Sequence, residues 1–115
     1  MSLISLGEAK SYLRVDSGME DGLVLSLLSS SEKLAVDVAR LSAAEWNTLT
    51  EPTTTAMTVR GQSLDSAEVY QLRELMRTAV LFALGYLFEH REEADHHALV
   101  MTLRNLLSSV REGVF

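Results

Sequence analysis

The segment Ala79–Phe88, AVLFALGYLF, has ten residues without a charge, and the nine that follow, EHREEADHH, are nearly all charged or titratable. The first part is apolar on every side of a helix and so must be enclosed. A bilayer could enclose it, but a membrane span needs about twenty apolar residues. This run stops at Glu89, and extending it backwards meets Arg77, Glu74 and Arg73. The better reading is a buried helix core. A chain of 115 residues forms one domain, taken here as 1–115, and buries only about two-thirds of the surface of its unfolded form. Such a small bundle struggles to surround a helix, and a second copy of the chain is the simplest remedy. Oligomerisation is therefore expected.

The rest of the chain reads as helix of the same kind. Ser5 and Glu8 have the spacing of a capping box, and Leu6, Ala9 and Leu13 then fall on one face, with Tyr12 beside them. Asp16, Ser17 and Gly18 break this helix. A second runs from about Glu20 to about Leu41, with Leu23, Leu27, Leu34, Val38 and Leu41 as its apolar stripe, widened by Val24, Leu28 and Ala35. Asp65 and Glu68 cap a third, from about Ser66 to about Glu93, near 40 Å long at about 1.5 Å per residue. Its main face is Leu72, Leu75, Met76, Ala79, Phe82, Ala83, Tyr86 and Leu87. A last helix spans about His97 to Arg111, with Leu99, Leu103, Leu106, Leu107 and Val110 inward. The expected fold is all-α: a bundle of about four helices around one long central helix.

Between the second and third helices, about 42–65, the character changes. TLTEPTTTAMTVRGQS is rich in threonine and holds the one proline, Pro52. It predicts a loop or short β-hairpin excursion. Trp46, just before it, reads as a packing anchor.

Chemistry is thinly signalled. There is no cysteine, which excludes disulfides, thiol nucleophiles and cysteine metal sites, and makes an intracellular chain the easier reading. The formal net charge is −6, which argues against sequence-specific duplex binding. MSLISLGEAK lacks the pattern of a signal peptide. Glu93 and His97 stand at i, i+4, and with His90 they offer a metal set, but no motif fixes a third ligand, and a solvated helix end is the plainer reading. No phosphate-binding or nucleophile motif occurs, so no catalytic, cofactor or metal residue is assigned. Gly85 marks a close approach, since an idle mid-helix glycine costs about 1 kcal/mol against alanine. Arg73 and Arg77 form an i, i+4 pair suited to ion pairs with Glu74 or another chain.

Two stretches resemble the phage head-tail connector family, small helical neck proteins often described as putative DNA-packaging proteins. The first is LISLGEAKSYLRVDSGMEDGLVLSLLSSSEKLA, Leu3 to Ala35, where Leu6, Glu8, Ala9, Lys10, Leu13, Arg14, Val15 and Asp16 carry the match and Glu20, Asp21 and Leu23 the acidic turn. The second is RTAVLFALGYLFEHREEA, Arg77 to Ala94, where Phe88, Glu89, Arg91 and Glu92 fit and His90 replaces the usual asparagine. The closing LRNLLSSVRE looks like the family's final helix, whereas 42–66 departs from the pattern.

The resemblance implies a structural protein of the virion neck, made in the bacterial host cytoplasm and requiring no catalysis or cofactor. Copies form a ring under the portal, a twelvefold ring being one implied form. The ring continues the DNA channel without sequence-specific binding, stays clear of membranes and joins the portal to the next neck or tail component. Arg73, Arg77, Phe88, Glu89, Arg91 and Glu92 then become candidate subunit contacts. Thr53, Thr54, Thr55, Met57, Val59 and Arg60 become a candidate arm to a neighbour or to the portal. Composition and helix pattern fit a second reading equally well: a small cytosolic helical dimer acting as a protein-binding or regulatory module.

Overall fold

A computed structural model describes residues 3–15, 18–90 and 96–113. These form α1 (Leu6–Leu13), a short 3-10 turn (Gly18–Glu20), α2 (Asp21–Ala39), α3 (Ala43–Thr50), β1 (Met57–Val59), β2 (Gln62–Leu64), α4 (Ser66–Glu89), α5 (His97–Leu106) and α6 (Ser108–Glu112). The fold is predominantly helical, with a single two-stranded hairpin. The described residues hold six helices where about four were expected. One addition is α3, inside the excursion. The other comes from a break at Leu107, which divides the last helix into α5 and α6.

Local signals explain where helices begin. The Ser5 hydroxyl accepts from the Glu8 N–H (3.1 Å), starting α1. Asp65 and Glu68 form a full reciprocal capping box on α4. Ser42 and Glu45 form another on α3, with bonds of 3.0 and 2.8 Å. The α3 helix was legible in the sequence Ser42-Ala-Ala-Glu45.

The core is built on α2 packed against α4, the most extensive contact between elements. The buried side of α2 is Val24, Leu28, Ser31, Ala35, Val38 and Ala39. This corrects the expected stripe in part: Val24, Leu28, Ala35, Val38 and Leu41 are buried, but Leu23 is exposed, and Leu27 and Leu34 lie on the flank. The buried side of α4 is Val69, Leu72, Met76, Ala79, Val80, Ala83 and Leu84. Leu99, Leu103, Leu107 and Val110 complete the core, as expected.

Two expectations for α4 meet different outcomes. Gly85 does mark a close approach: a Cβ there would lie 3.1 Å from the Tyr12 ring of α1. Phe82 does not lie inward. It is 40% exposed, and Leu81, Tyr86, Leu87 and Phe88 are only half-buried, so the apolar half of α4 is not fully enclosed within one chain.

Burial separates two neighbouring positions in a testable way. Phe82→Asp should cost the folded chain no more than about 1–2 kcal/mol, in line with partial burial of the ring. Ala83→Asp, at a fully buried site, should cost several kcal/mol and prevent folding. Urea unfolding of the two variants checks the assignment.

Candidate interaction surfaces

Several residues expected at subunit contacts are engaged inside the chain. Arg73 wraps the end of α3, donating from Nε to the Leu49 carbonyl (3.0 Å) and from Nη2 to the carbonyls of Glu51 (3.1 Å) and Thr54 (3.3 Å). These carbonyls lack helical partners, and a guanidinium fork suits them. Arg77 donates to the Leu3 carbonyl (2.8 Å) and forms its main ion pair with Glu8, while Glu74 stands farther off at 3.8 Å. Arg77 thus pins the N-terminal segment and α1 to α4. Glu8 faces this arginine rather than closing a capping box with Ser5. Lys10 approaches Asp21 at 2.7 Å, an ion pair that offsets the charge of an oxygen lacking an aligned hydrogen bond.

The hairpin is packed on its own subunit. β1 and β2 pair antiparallel, with Met57 opposite Leu64 and Val59 opposite Gln62. Arg60 and Gly61 make the two-residue turn, both with positive φ (52° and 79°), the signature of a type I′ turn. Val59 and Leu64 are buried in the core. The Arg60 N–H donates to Glu45 Oε2 (2.9 Å), and its guanidinium donates to the carbonyls of Ala39 (2.7 Å), Arg40 (3.0 Å) and Arg111. Val59 and Arg60, expected in an arm, are therefore used within the chain. The Thr54 hydroxyl donates to the Thr48 carbonyl (2.8 Å), and Met57 packs half-buried against the core. Thr53 and Thr55 are exposed.

At the end of α4, Glu89 is exposed, and Phe88 is half-buried and engaged with a neighbour. Arg91, Glu92 and Glu93 lie outside the described residues. His90 stacks on Tyr86 with ring centres 4.1 Å apart, and its Nδ1 is 2.9 Å from the Tyr86 carbonyl. Since a carbonyl only accepts, this nitrogen carries the proton. His96 meets the same ring edge-on at 6.1 Å. No group of three potential metal ligands converges among the described residues. No helix among them is long and apolar enough to cross a membrane.

Two uncovered apolar surfaces stand out, and the sequence reading named neither. One is an open groove of about 800 Å³ between the N-terminal segment, α2 and α3, lined by Ile4, Leu6, Leu25, Leu28, Leu41 and Trp46. Leu25 is 50% exposed there, and the Lys33–Asp37 ion pair (3.2 Å) stands at the rim. Trp46 packs half-buried against the core, as an anchor should. The other carries two exposed rings: Tyr12, 49% exposed, lies over Gly85, and Phe82 precedes that glycine by three residues. The signal for both was an excess of large apolar residues over what one buried stripe needs. Comparison with family models, curated proteins and solved structures finds no match to this chain.

Hydrogen bonding to Arg77 holds the Glu8 carboxyl below the ordinary value, against an opposing effect of burial. Burial also opposes ionisation of Glu45, but N–H donors of Ser42 and Arg60 outweigh it and the net shift is downward. Both carboxylates therefore stabilise the fold fully above the unfolded-state value of about 4.3, and the contribution is lost as pH falls through the lower folded values. The double variant Glu8→Gln/Glu45→Gln should be less stable than the parent at about pH 7 and should lose less further stability on acidification to about pH 3.5. Urea midpoints at the two pH values test this.

Proposed function

We propose that the chain is the repeating subunit of a phage or prophage head-tail connector. Copies form a ring beneath the portal, continue the DNA channel and join the capsid to the tail. The observation that carries this reading is the order and spacing of the two motif stretches, Leu6–Asp16 and Arg77–Glu92, along a predominantly helical chain. The uncovered apolar surface supports it. Exposed Leu25, Tyr12 and Phe82 give an assembling subunit apolar area to bury. The groove and the Tyr12–Phe82 surface differ in chemistry, the one rimmed by the Lys33–Asp37 pair and the other aromatic. A contact between unlike surfaces is heterologous, and it closes into a ring where its rotation permits.

In this reading the subunit contacts move from Arg73 and Arg77, which are held by their own chain, to Phe82, Tyr12 and Glu89 on one side and the Leu25–Trp46 groove on the other. The exposed Thr53 and Thr55 remain available to the portal or to a neighbour. The role requires no catalysis, and its place is the virion neck after synthesis in the host cytoplasm.

Light scattering across a concentration series, with negative-stain images of any large species, tests the proposal. A closed ring with an open centre is expected, from the protein alone or after addition of the portal. Phe82→Asp should remain folded and fail to form it. A stable two-copy species that ignores the portal would overturn the connector reading in favour of the regulatory dimer.

A further inference from the structure

The chain is acidic, yet four arginines gather where α2 and α6 end. Two have an evident structural task. Arg60 donates to the carbonyls of Ala39, Arg40 and Arg111, and Arg111 donates to the Val38 carbonyl (2.8 Å). They satisfy the orphan carbonyls at the C-terminus of α2, where the helix dipole also favours a cation. Arg40 and Arg104 have no such task. Both side chains are exposed, and among the described residues neither guanidinium forms an ion pair or a hydrogen bond. Loss of hydration, and after it the field of Arg40, Arg104 and Arg60, holds the Arg111 guanidinium below its usual value, with Glu112 opposing. The like charges are thus close enough to feel one another, with Glu112 the one carboxylate beside them.

Three of the four arginines border a surface hollow of about 400 Å³. Arg40, Arg104 and Arg111 line it with Asn105 and Ser108, and Glu112 is its one acid. The lining is rich in donors, and Arg111 is fixed by its bond to α2, so part of the site is pre-organised. Three guanidinia against one carboxylate leave a local charge of plus two. That matches a phosphate monoester or free phosphate, which carries about −1.5 to −2 at neutral pH, better than a singly charged carboxylate or phosphodiester. A duplex would also be repelled by the net charge of −6 over the whole chain.

We infer that the hollow between α2, α5 and α6 is an oxyanion site for a phosphate dianion, with Arg40 and Arg104 as its gripping residues and Asn105 and Ser108 as flanking donors. The site stands independently of the connector proposal. The source is either inorganic phosphate or the terminal phosphate of a monoester such as a nucleotide.

The test is an NMR titration of the intact protein with inorganic phosphate, at ionic strength held constant with chloride, following amide and arginine Nε–H signals. Saturable shifts confined to Arg40, Arg104, Asn105, Ser108 and Arg111 are expected. In Arg40→Gln/Arg104→Gln the apparent affinity should fall at least tenfold, while the spectrum elsewhere shows an unchanged fold. Lysine at both positions should recover part of the binding, because it restores charge without the planar fork. A parallel titration with a nucleoside monophosphate separates the sources: tighter binding than phosphate points to a monoester, equal binding to free phosphate. Shifts that never saturate, or that persist undiminished in the glutamine variant, would overturn the site. So would binding of a short duplex without terminal phosphates where inorganic phosphate fails, since the groups recognised would then be phosphodiesters.

Discussion

The close packing of α2 on α4 is the constraint on which the rest of the molecule depends. The buried sides of both helices carry small residues, Ser31, Ala35 and Ala39 on α2 and Ala79 and Ala83 on α4, all with no measurable exposure. Small side chains let two helix backbones approach and bring many atoms into dispersion contact. A buried hydroxyl at such a seam would be costly, but Ser31 Oγ donates to the Leu27 carbonyl one turn earlier (2.7 Å). A seam made of small residues has little room for large ones. Leu23, Leu25 and Phe82 are carried outward on the same two helices, so close packing inside the subunit and uncovered apolar surface outside it have one origin.

Arginine closes what this packing leaves open. Short helices end in unpaired carbonyls, and this chain meets them with guanidinium groups that arrive from distant parts of the sequence: Arg73 at the end of α3, Arg60 and Arg111 at the end of α2, and Arg60 again at Arg111. A planar fork reaches two or three carbonyls at once, which a lysine cannot do with the same geometry. The same logic explains the hairpin. Its buried Val59 and its arginine turn lock the excursion onto the bundle, and Glu45 joins the excursion's own helix to that turn.

What the sequence made legible was local. The caps at Ser5 and Asp65, the hairpin in TTTAMTVRG and the inward Leu99–Val110 face all depend on residues near one another in the chain, and the close approach at Gly85 was marked by the glycine itself although its partner, Tyr12, is distant. The misreadings have a common cause, which is weight given to side-chain size or composition over position. Leucines drew the stripe of α2 toward Leu23 and Leu27, when the packed side ran through Val24, Leu28 and Ala35, which were counted as its margin, and Ser31, which was passed over. Threonine content concealed the capping box at Ser42. The spacing of Arg73 and Arg77 suggested pairing with Glu74, which Arg77 does make at 3.8 Å, but their main partners lie near residues 3, 8, 49, 51 and 54. Such long-range partners leave no periodic trace. The interaction surfaces were illegible for the same reason, since each combines side chains from separate elements.

The N-terminal stretch that begins at Leu6 serves the fold. Its most distinctive residues are structural in this chain: Ala9 is buried, Glu8 holds Arg77, and Lys10 holds Asp21. They fasten α1 across the ends of α2 and α4, a task any protein with this bundle would need done. A motif of this kind argues for the fold first and for the role only through it. The role must then be decided by surfaces the motif does not specify. The groove sets Leu25 and Trp46 beside the Lys33–Asp37 pair, whereas Tyr12 and Phe82 expose aromatic rings, so an occupant of either would be recognised by different chemistry.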